Sequence, residues 1–559
     1  MEEKIVKKNT RIRVICLAVL LIFSLLLSSC AEDKKQSAKE TSATNISNST
    51  IASTSTPTAV ISPTSIPEDV TSAPISSEVP KATNTPEQTA NPNVTESPKP
   101  TDKPKPDDIL SYLPKYTYSG VLAGTYDMSA SGMYYSKGSK TEYDPLLKGT
   151  AVVDNLGGGK MWVYTKVNNT SDINNYAADL AKAGYVLYAQ SDFNNNLFST
   201  WTSKENVVTL SYLASRKEFS ILIEPMRDLP GLEKDNVYVD KKIQCKAILA
   251  PTSHTGRENG LCLIYQLCDG SYIIVDGGHG IGFYPHEKQG FEQTYDDNAE
   301  EIYQILYNLA PDKKNIVIAA WFFTHPHWDH IGAVGPFADL YADKVKVEKV
   351  ILNHPNNKTI QEMWDQSDAN ILYVTKMQNA FAKFKNAKII EAHAGQVFYI
   401  RNAVINVLST WEIQTQYNSS FESVTKMNSA SLILDVTINN ERTIVLGDSG
   451  DSSTAYLNKL YGTWIKADMV TVAHHGYQGA NSTLYKNIEP DIVLWPINKE
   501  NITSLLNEAR NQPLKDADKI WVTGKSITIV PLPYTNDADV IVFEAPVLAG
   551  KTWNEVYPK

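Results

Sequence analysis

Three histidines and an aspartate lie within six residues, in a segment that reads His-Pro-His-Trp-Asp-His from position 325 to 330. Such a cluster is hard to explain as packing, because imidazoles are polar and repel one another when they are protonated. Neutral imidazole nitrogens and carboxylate oxygens are ligands that Zn²⁺ and similar metals prefer. The residue types and their spacing therefore predict a metal site at His325, His327, Asp329 and His330.

The element that must position this segment is the apolar run of residues 316–323, which ends just before it. The run has eight uncharged residues rich in Ile, Val and Phe, so it is too short for a typical helix and predicts a strand buried on both faces. Three more apolar runs also end in polar residues. They lead into Asp276, into Asp448, and into the pair His474 and His475.

The His-x-His-x-Asp-His pattern resembles the signature of the metallo-β-lactamase superfamily, and the other motifs follow in the order found in that family. The resemblance implies that His325 and His327 hold a first metal and that Asp329 and His330 hold a second. It further implies that Asp448 is a carboxylate that bridges the two metals and that His474 is the last ligand. The implied cofactor is Zn²⁺, as one or two ions, with Mn²⁺ as an alternative.

Two motifs narrow the resemblance to one branch of the family. Ala-His-His-Gly at 473–476, with Asn-Ser-Ala-Ser-Leu at 428–432, is similar to the hydrolase domain of DNA-uptake competence proteins and their secreted relatives. Most members of the superfamily have one more histidine ligand in the middle of the domain, which this branch often lacks. The candidates for that ligand are His393 and His354, of which His393 is closer to the expected place.

Bound metal would supply a nucleophile from water and polarise the bond that is attacked. In that reaction Asp329 either holds the second metal or orients the water. His475 either donates a proton to a phosphate oxygen or leaving group, or supports the site from behind. Asp276, His279 and Asn428 are expected to line the cleft.

The amino-terminal residues are typical of an export signal. Five basic and two acidic side chains lie in residues 1–13, an apolar stretch follows, and small residues lead to Cys30. This pattern predicts a signal peptide over residues 1–29. The end of the signal resembles a bacterial lipobox, which implies lipid on Cys30 and anchoring at the outer face of the cytoplasmic membrane or the cell surface. An uncleaved anchor helix is the alternative.

The segment 30–107 is dominated by Ser, Thr, Pro, Ala, Asn, Lys and Glu and has no aromatic residue. Such a composition cannot bury enough apolar surface to offset its ordering entropy, so it predicts a disordered stalk. Residues 108–235 are predicted to form a small α+β domain of unknown role, with a helix over 171–184 that is capped by Ser171. Tyrosines such as Tyr112 and Tyr116 fit either sheet packing or a glycan-binding surface.

Residues 236–559 are long enough for one complete hydrolase domain, and they alternate strand-like with helix-like patterns. Alternation of this kind predicts an α/β fold with sheets covered by helices. The family resemblance specifies an αββα sandwich. Cys245, Cys262 and Cys268 have no metal-ligand spacing, and we expect them to be buried free thiols.

The family branch favours a phosphodiester substrate, either a cell-wall polymer, a small ester or a nucleic acid. The whole chain carries −10, residues 1–29 contribute +3, and the remainder carries −13. That balance disfavours extended nucleic-acid binding, which usually depends on a basic surface. A phosphodiesterase is therefore the first prediction. The alternatives are an extracellular nuclease, a lactam or lactone hydrolase, and a surface-binding lipoprotein without catalysis; no protein partner is evident.

Overall fold

The computed structural model of the protein describes part of the chain, which includes the candidate motifs. The described residues are 108–128, 159–232, 242–251, 260–278, 292–355, 360, 368–413, 427–546, 551 and 553–556. The predicted signal peptide, Cys30, the stalk at 30–107 and His279 lie outside them. Among the described helices, none combines the length and the apolar character needed to cross a bilayer.

The amino-terminal part of the described chain is a six-stranded antiparallel sheet with one long helix on one face. The strand order is β1-β2-β6-β5-β4-β3. The predicted helix is present, but its amino-terminal cap is the Asn169 side chain, which accepts a hydrogen bond from the Ser171 amide, so the predicted Ser171 cap is wrong. The elements are β1 (Val121–Asp127), β2 (Lys160–Thr165), α1 (Thr170–Lys182), β3 (Val186–Phe193), β4 (Asn196–Thr202), β5 (Asn206–Leu213) and β6 (Glu218–Pro225).

A second sheet of nine strands contains the predicted strand of residues 316–323. Its order is β13-β12-β10-β9-β8-β7-β21-β22, with β11 paired to β10. Its strands are β7 (Cys245–Leu249), β8 (Leu263–Gln266), β9 (Tyr272–Val275), β10 (Ile316–Phe323), β11 (Val345–Val347), β12 (Lys349–Leu352), β13 (Lys388–Glu391), β21 (Ser526–Leu532) and β22 (Ile541–Glu544). The helices that follow these strands in the first half are α2 (Glu292–Leu309), α3 (Trp328–Ile331), α4 (Val334–Tyr341) and α5 (Asp368–Lys383).

A third sheet of seven strands has the order β14-β15-β16-β17-β18-β19-β20. Its strands are β14 (Val397–Ile400), β15 (Ala403–Ser409), β16 (Ile433–Ile438), β17 (Glu441–Val445), β18 (Met469–Thr471), β19 (Ile492–Trp495) and β20 (Lys519–Val522). The remaining helices are α6 (Asp451–Tyr461), α7 (Ser482–Ile488), α8 (Lys499–Leu506) and α9 (Trp553–Val556).

Apolar layers separate the two larger sheets from each other and from the helices. Trp321 on β10 belongs to the layer beneath α2, α4 and α5. Its neighbour Phe322 points the opposite way, into the layer between the sheets, where it meets Phe398 edge to face. Leu457 and Trp495 lie in a third layer, beneath α6 and α7. This arrangement confirms the predicted αββα sandwich, and the uncharged sequence of β10 follows from its burial on both faces.

The small amino-terminal domain packs directly on the sandwich. Phe193 stacks on Trp464 with ring centroids 5.7 Å apart, and the Asn194 side-chain amide donates a hydrogen bond of 2.8 Å to the Leu460 carbonyl. Strand β5 is buried along its whole length. One of its faces lies under α1, with Tyr116 in the same core, and Leu213 at its end packs with residues of the sandwich. The buried position of Tyr116 supports the packing interpretation of this tyrosine.

Candidate metal centre

The predicted site residues follow the carboxyl ends of four strands, and Asp329 and His330 lie in the short helix α3. β9 and β10 are parallel neighbours in one sheet, and β17 and β18 are parallel neighbours in the other. Two backbone hydrogen bonds join the loops: the Leu432 amide donates to the Thr324 carbonyl over 2.8 Å, and the His474 amide donates to the Gly447 carbonyl over 3.1 Å. The polar residues that follow these four strands therefore converge at one edge of the sandwich.

Asp448 lies at the centre of the convergence, and its two carboxylate oxygens face different groups. Oδ1 is 3.0 Å from His330 Nε2 and 3.6 Å from His475 Nε2. Oδ2 is 3.7 Å from His325 Nε2 and 3.9 Å from His474 Nε2. A carboxylate with donor atoms on both sides has the geometry of a bridge between two sites.

A buried carboxylate behind the cluster sets the orientation of His330. Asp276 Oδ2 lies 2.7 Å from His330 Nδ1, which leaves the opposite nitrogen, Nε2, directed at Asp448. Asp276 is held in turn by Thr324, whose amide and hydroxyl donate to its two oxygens over 2.7 Å each. Because the Thr324 hydroxyl donates its proton to Asp276, the hydroxyl oxygen accepts a hydrogen bond of 3.1 Å from His325 Nδ1. Carboxylates and hydroxyls in this position fix the tautomer of metal-binding histidines.

The protonation states of His325 and His327 suit metal binding. Burial, reinforced by the charge of His330, lowers the pKa of His325 well below its usual range, and burial lowers the pKa of His327 to about 4. Both imidazoles are therefore neutral at physiological pH, and His325 Nε2 lies 3.0 Å from His327 Nδ1. Two neutral nitrogens this close, without a carboxylate between them, form a pair that a cation can hold.

The carboxylates of the centre remain ionised. Burial alone would raise the pKa of Asp329, but the hydrogen bond from His475 and the charge of His330 outweigh burial and lower it. The pKa of Asp448 is lowered too, because His330 and His475 outweigh its burial. Burial lowers the pKa of His330, but Asp448 and Asp276 outweigh that effect and raise it well above its usual range. Without metal, the proton on His330 compensates the acidic charge that a cation would otherwise balance.

The vicinal histidines have an uncommon backbone that turns their side chains in different directions. His474 has φ 49° and His475 has φ 53°, and Gly476 continues with φ 87°. Left-handed conformations at two successive non-glycine residues each cost on the order of 1–2 kcal/mol, so the surrounding packing must enforce them. Part of that packing is Trp495, whose indole donates a hydrogen bond of 2.8 Å to the His475 carbonyl and whose ring leaves no room for a Cβ at Gly476.

The structure therefore places His475, rather than His474, in the buried group. His475 is 1% exposed, and its Nε2 is 3.3 Å from Asp329 Oδ2. The His474 side chain is 29% exposed, and its Nε2 lies 3.2 Å from the Asn428 side-chain amide. The sequence assigned His474 as the last ligand and left His475 as proton donor or support. The geometry favours His475 instead, because the strained turn directs the second imidazole inward; which of the two histidines binds metal stays a prediction.

The described residues fit a two-cation site. Their ligand atoms form one group of Asp329, His330, Asp448 and His475 and another of His325, His327 and Asp448, and within each group the atoms lie within 4.8 Å of one another. The atoms His330 Nε2, Asp448 Oδ1 and His475 Nε2 are buried without a hydrogen bond of normal geometry. Buried polar atoms are ordinarily satisfied, so a cluster of such atoms that all face inward fits the ligand set of a cation.

Neither candidate for an additional ligand lies in this group. His393 is buried in contact with two glutamates, its Nε2 2.8 Å from Glu224 and its Nδ1 3.1 Å from Glu412. Glu224 comes from β6 of the small domain, so His393 belongs to the interface between the domains. His354 is buried beside the backbone of Phe323, and burial lowers its pKa to about 3. The prediction of His393 as a ligand of the first site is not supported by its position.

Two residues that support the site were missed from the sequence. Thr324 connects Asp276 to His325, and the Ser431 hydroxyl accepts a hydrogen bond of 3.1 Å from the Asp448 amide. Gly447 makes that approach possible, because a Cβ there would lie 2.8 Å from Ser431 Oγ. For Thr324, the sequence offered one signal: a small residue with a hydroxyl group that directly follows an apolar strand.

Comparisons with known proteins bear on the same residues. The sequence model of the metallo-beta-lactamase superfamily matches residues 256–373, a range that includes β10 and the segment 325–330. No curated protein matches the chain.

Among the solved structures that match the chain are three proteins with different descriptions. The metallo-beta-lactamase fold protein YhfI from Bacillus subtilis is 12% identical, with a TM-score of 0.28, and the match covers 50% of this chain and 97% of that one. The diiron beta-hydroxylase CmlA from Streptomyces venezuelae is 12% identical, with a TM-score of 0.29 and coverages of 65% and 62%. Yeast PDE1 is 13% identical, with a TM-score of 0.29 and coverages of 50% and 98%. The superfamily's sequence model thus covers residues 256–373, and the two packed sheets with helices on their outer sides agree with the metallo-β-lactamase fold.

Proposed function

We propose that this protein is a metal-dependent phosphodiesterase that is exported and anchored to the cell surface by lipid on Cys30. The single observation that carries the catalytic part is the position of Asp448 between two sets of ligand atoms. Paired metal sites of this kind are typical of enzymes that displace groups at phosphorus, because one cation can stabilise the attacking oxygen and the other the leaving oxygen.

The residues of the chain have separate roles in this proposal. His325, His327 and Asp448 would hold one cation, and Asp329, His330, His475 and Asp448 would hold the other. Zn²⁺ suits these nitrogen and oxygen ligands. Bound metal would supply a nucleophile derived from water and a positive charge for the phosphate oxygens.

Other residues would act on orientation and on the substrate. Asp276 and Thr324 keep His330 and His325 in the required tautomers. His475 is too deeply buried to meet a substrate, so it serves as a ligand. His474, which is partly exposed and has its Nε2 3.2 Å from the Asn428 side-chain nitrogen, is the histidine of the pair that a substrate would meet.

The proposed substrate is a small phosphodiester or one within a wall polymer. The net charge of −13 beyond residue 29 disfavours long nucleic acids, because non-specific binding to them depends on a basic surface. A wall polymer is also what a lipid-anchored domain on a stalk would meet.

The experiment is to measure metal content and turnover of the purified full-length protein. Bis(p-nitrophenyl) phosphate, p-nitrophenyl phosphorylcholine, nitrocefin and linear DNA serve as substrates. We expect up to two Zn²⁺ per chain and cleavage of at least one of the two phosphodiester reporters. The variant Asp448→Asn is expected to lose metal and at least about 100-fold in activity, which is the upper end of the loss caused by removal of a supporting residue.

Asp451→Asn is the matched control, because Asp451 lies three residues further along the chain and its side chain is 66% exposed. It should keep both metal and activity. Nitrocefin opening without phosphodiester cleavage would instead identify a lactam hydrolase, and preferential DNA cleavage would identify a nuclease. Bound metal without any hydrolysis that Asp448→Asn affects would contradict the enzyme assignment.

A further inference from the structure

A cavity of about 260 Å³ lies between the small domain and the sandwich, and it shares no residue with the metal centre. One wall is formed by β3, β4 and β5 and the other by residues 394–399, which lead into and form most of β14. Gly231 and Leu232 are exposed and line the part of the cavity that meets solvent. Ligand sites occur preferentially at domain interfaces of this kind.

The register of the sheet brings a row of small side chains to the cavity wall. Ala189 on β3 pairs with Thr200 on β4, and Thr200 pairs with Thr209 on β5. Residues that are directly paired across strands point to the same face of a sheet. This face is turned towards the sandwich, because Leu222, the partner of Thr209 on β6, packs against Trp411. Two threonine hydroxyls therefore occupy a face that would ordinarily be apolar.

The hydroxyl of Thr209 is the observation that indicates a ligand. Thr209 is 5% exposed, and its Oγ1 is buried without a hydrogen-bond partner among the described residues. Leaving a buried hydroxyl unsatisfied costs about 1–3 kcal/mol, so native structures rarely do so without a reason. The adjacent Thr200 is only weakly engaged, since the Gln396 side-chain amide lies 3.5 Å from its oxygen.

The remaining lining specifies the chemistry of that ligand. Tyr188, Phe198 and Tyr399 provide aromatic surface, Gln190 and Gln396 provide amide groups, and none of the lining residues in the described part of the chain carries a charge. A charged ligand would lose its hydration without gaining a counter-ion, which is costly. Aromatic faces beside amide and hydroxyl groups suit a neutral ring that has apolar C–H faces and hydroxyls at its edge.

We propose that this cavity binds one neutral sugar ring, either as a free monosaccharide or as the terminal unit of a glycan. Its volume is just below the range of roughly 300–1,000 Å³ typical of sites for drug-sized ligands, so it accommodates one ring and not several. The site is separate from the metal centre and does not depend on the proposed hydrolysis. In an enzyme that acts on wall polymers, this cavity would bind the end of the polymer or a free sugar at a place separate from the metal centre.

The test is a titration of the full-length protein with glucose, galactose and N-acetylglucosamine, followed by calorimetry and saturation-transfer NMR. Glucuronate is the charged comparison. The linear trimer of N-acetylglucosamine distinguishes the end of a glycan from a free monosaccharide as the ligand. We expect saturable binding of at least one neutral sugar and none of glucuronate. Equal or tighter binding of the trimer would indicate a glycan end, while binding of monosaccharides alone would indicate a free sugar.

Two variants locate the binding. Thr209→Val keeps the side-chain shape and should weaken binding by about threefold to tenfold, which corresponds to the loss of one hydrogen bond. Because the hydroxyl has no partner in the part of the chain that the structure describes, the variant should be at least as resistant to thermal unfolding as the wild type. A purely structural hydroxyl would give a less stable protein. Ala189→Trp fills the cavity and should abolish binding, whereas Ala181→Trp on the exposed face of α1 should not.

The proposal is overturned if none of the three neutral sugars binds saturably to folded protein. It is equally overturned if glucuronate binds as well as glucose does, or if Ala189→Trp leaves the affinity unchanged. Phosphodiester cleavage should be the same in the wild type and in Thr209→Val, so failure of this proposal is distinguishable from failure of the proposed hydrolysis.

Discussion

Replacement of Glu224 by glutamine tests the buried charge network that joins the two domains. His393 lies between two carboxylates, with Nε2 2.8 Å from Glu224 and Nδ1 3.1 Å from Glu412. Arg227 also contacts two, with Nη2 3.1 Å from Glu224 and Nη1 against Glu391. Negative and positive groups therefore alternate along a chain of five buried or nearly buried side chains. Glu224 contacts both positively charged side chains, His393 and Arg227, so the loss of its charge should have the largest effect on stability.

The expected loss of stability follows from two arguments that agree in size. Removal of one partner from a buried ion pair typically destabilises a protein by about 3–5 kcal/mol, because the other charge is left uncompensated. Burial by itself would lower the pKa of His393, but Glu224 and Glu412 outweigh it and raise the pKa to about 10. A shift from the usual value near 6.5 corresponds to about 5 kcal/mol when all of it acts on folding, and this is an upper limit for Glu224 because Glu412 supplies part of the shift.

The pH dependence has a definite sign. The folded state holds the His393 proton more tightly than the unfolded state does, so the stabilisation is complete below about pH 6.5 and is lost as the pH rises through about 10. Between those limits the contribution of this group falls by about 1.4 kcal/mol per pH unit. In Glu224→Gln that slope should shrink, because the carboxylate that contributes most to the raised pKa is gone.

The assay is denaturant unfolding of the wild type and the variant at several pH values between 7 and 9.5. Tryptophan fluorescence can report on both domains, since Trp201 lies in the small domain and Trp464 at the interface. We expect the stability difference between the two proteins to be largest near pH 7 and to narrow towards pH 9.5.

Glu218→Gln is the matched control, because Glu218 lies on the same strand and is paired with Arg216 instead of His393. It should lower stability without changing the slope against pH. A Glu224→Gln variant that loses less than about 1 kcal/mol, or that keeps the wild-type slope, would refute the reasoning that Glu224 holds a protonated His393.

Two further predictions concern the metal centre. Asp276→Asn should weaken Zn²⁺ binding by about 10–100-fold, because the amide no longer holds the His330 tautomer through a negative charge. Competition with a chelator measures the affinity, with Asp451→Asn as the control. Unchanged affinity would contradict the role assigned to Asp276. Gly476→Ala should lower stability by about 2–4 kcal/mol, because the added methyl would lie 2.4 Å from the Trp495 ring at φ 87°. Denaturant unfolding would check it against Gly231→Ala, where a Cβ meets nothing, and equal stability of the two variants would count against the steric argument.

The amino-acid sequence by itself determined the chemistry of the centre and most of the elements around it. Histidine and aspartate at positions 325, 327, 329 and 330 are close in space for any short turn after a strand, so their clustering needed no tertiary information. The uncharged run before them coincides with β10, Ile316–Phe323, because burial on both faces excludes charge from every position. The order of the other motifs was likewise sufficient to predict the αββα sandwich through the family resemblance.

Only the tertiary structure decided which member of the vicinal pair faces inward. Neighbouring residues in a loop have no fixed alternation, and the left-handed turn at His474 and His475 depends on Trp495 and on the loop at Gly447, which are distant in sequence. The same holds for His393: its position in the sequence was close to that expected of a ligand, but its environment is set by Glu224 from β6. Side-chain direction and long-range charge pairing come from packing between elements, and no local pattern of residues encodes them.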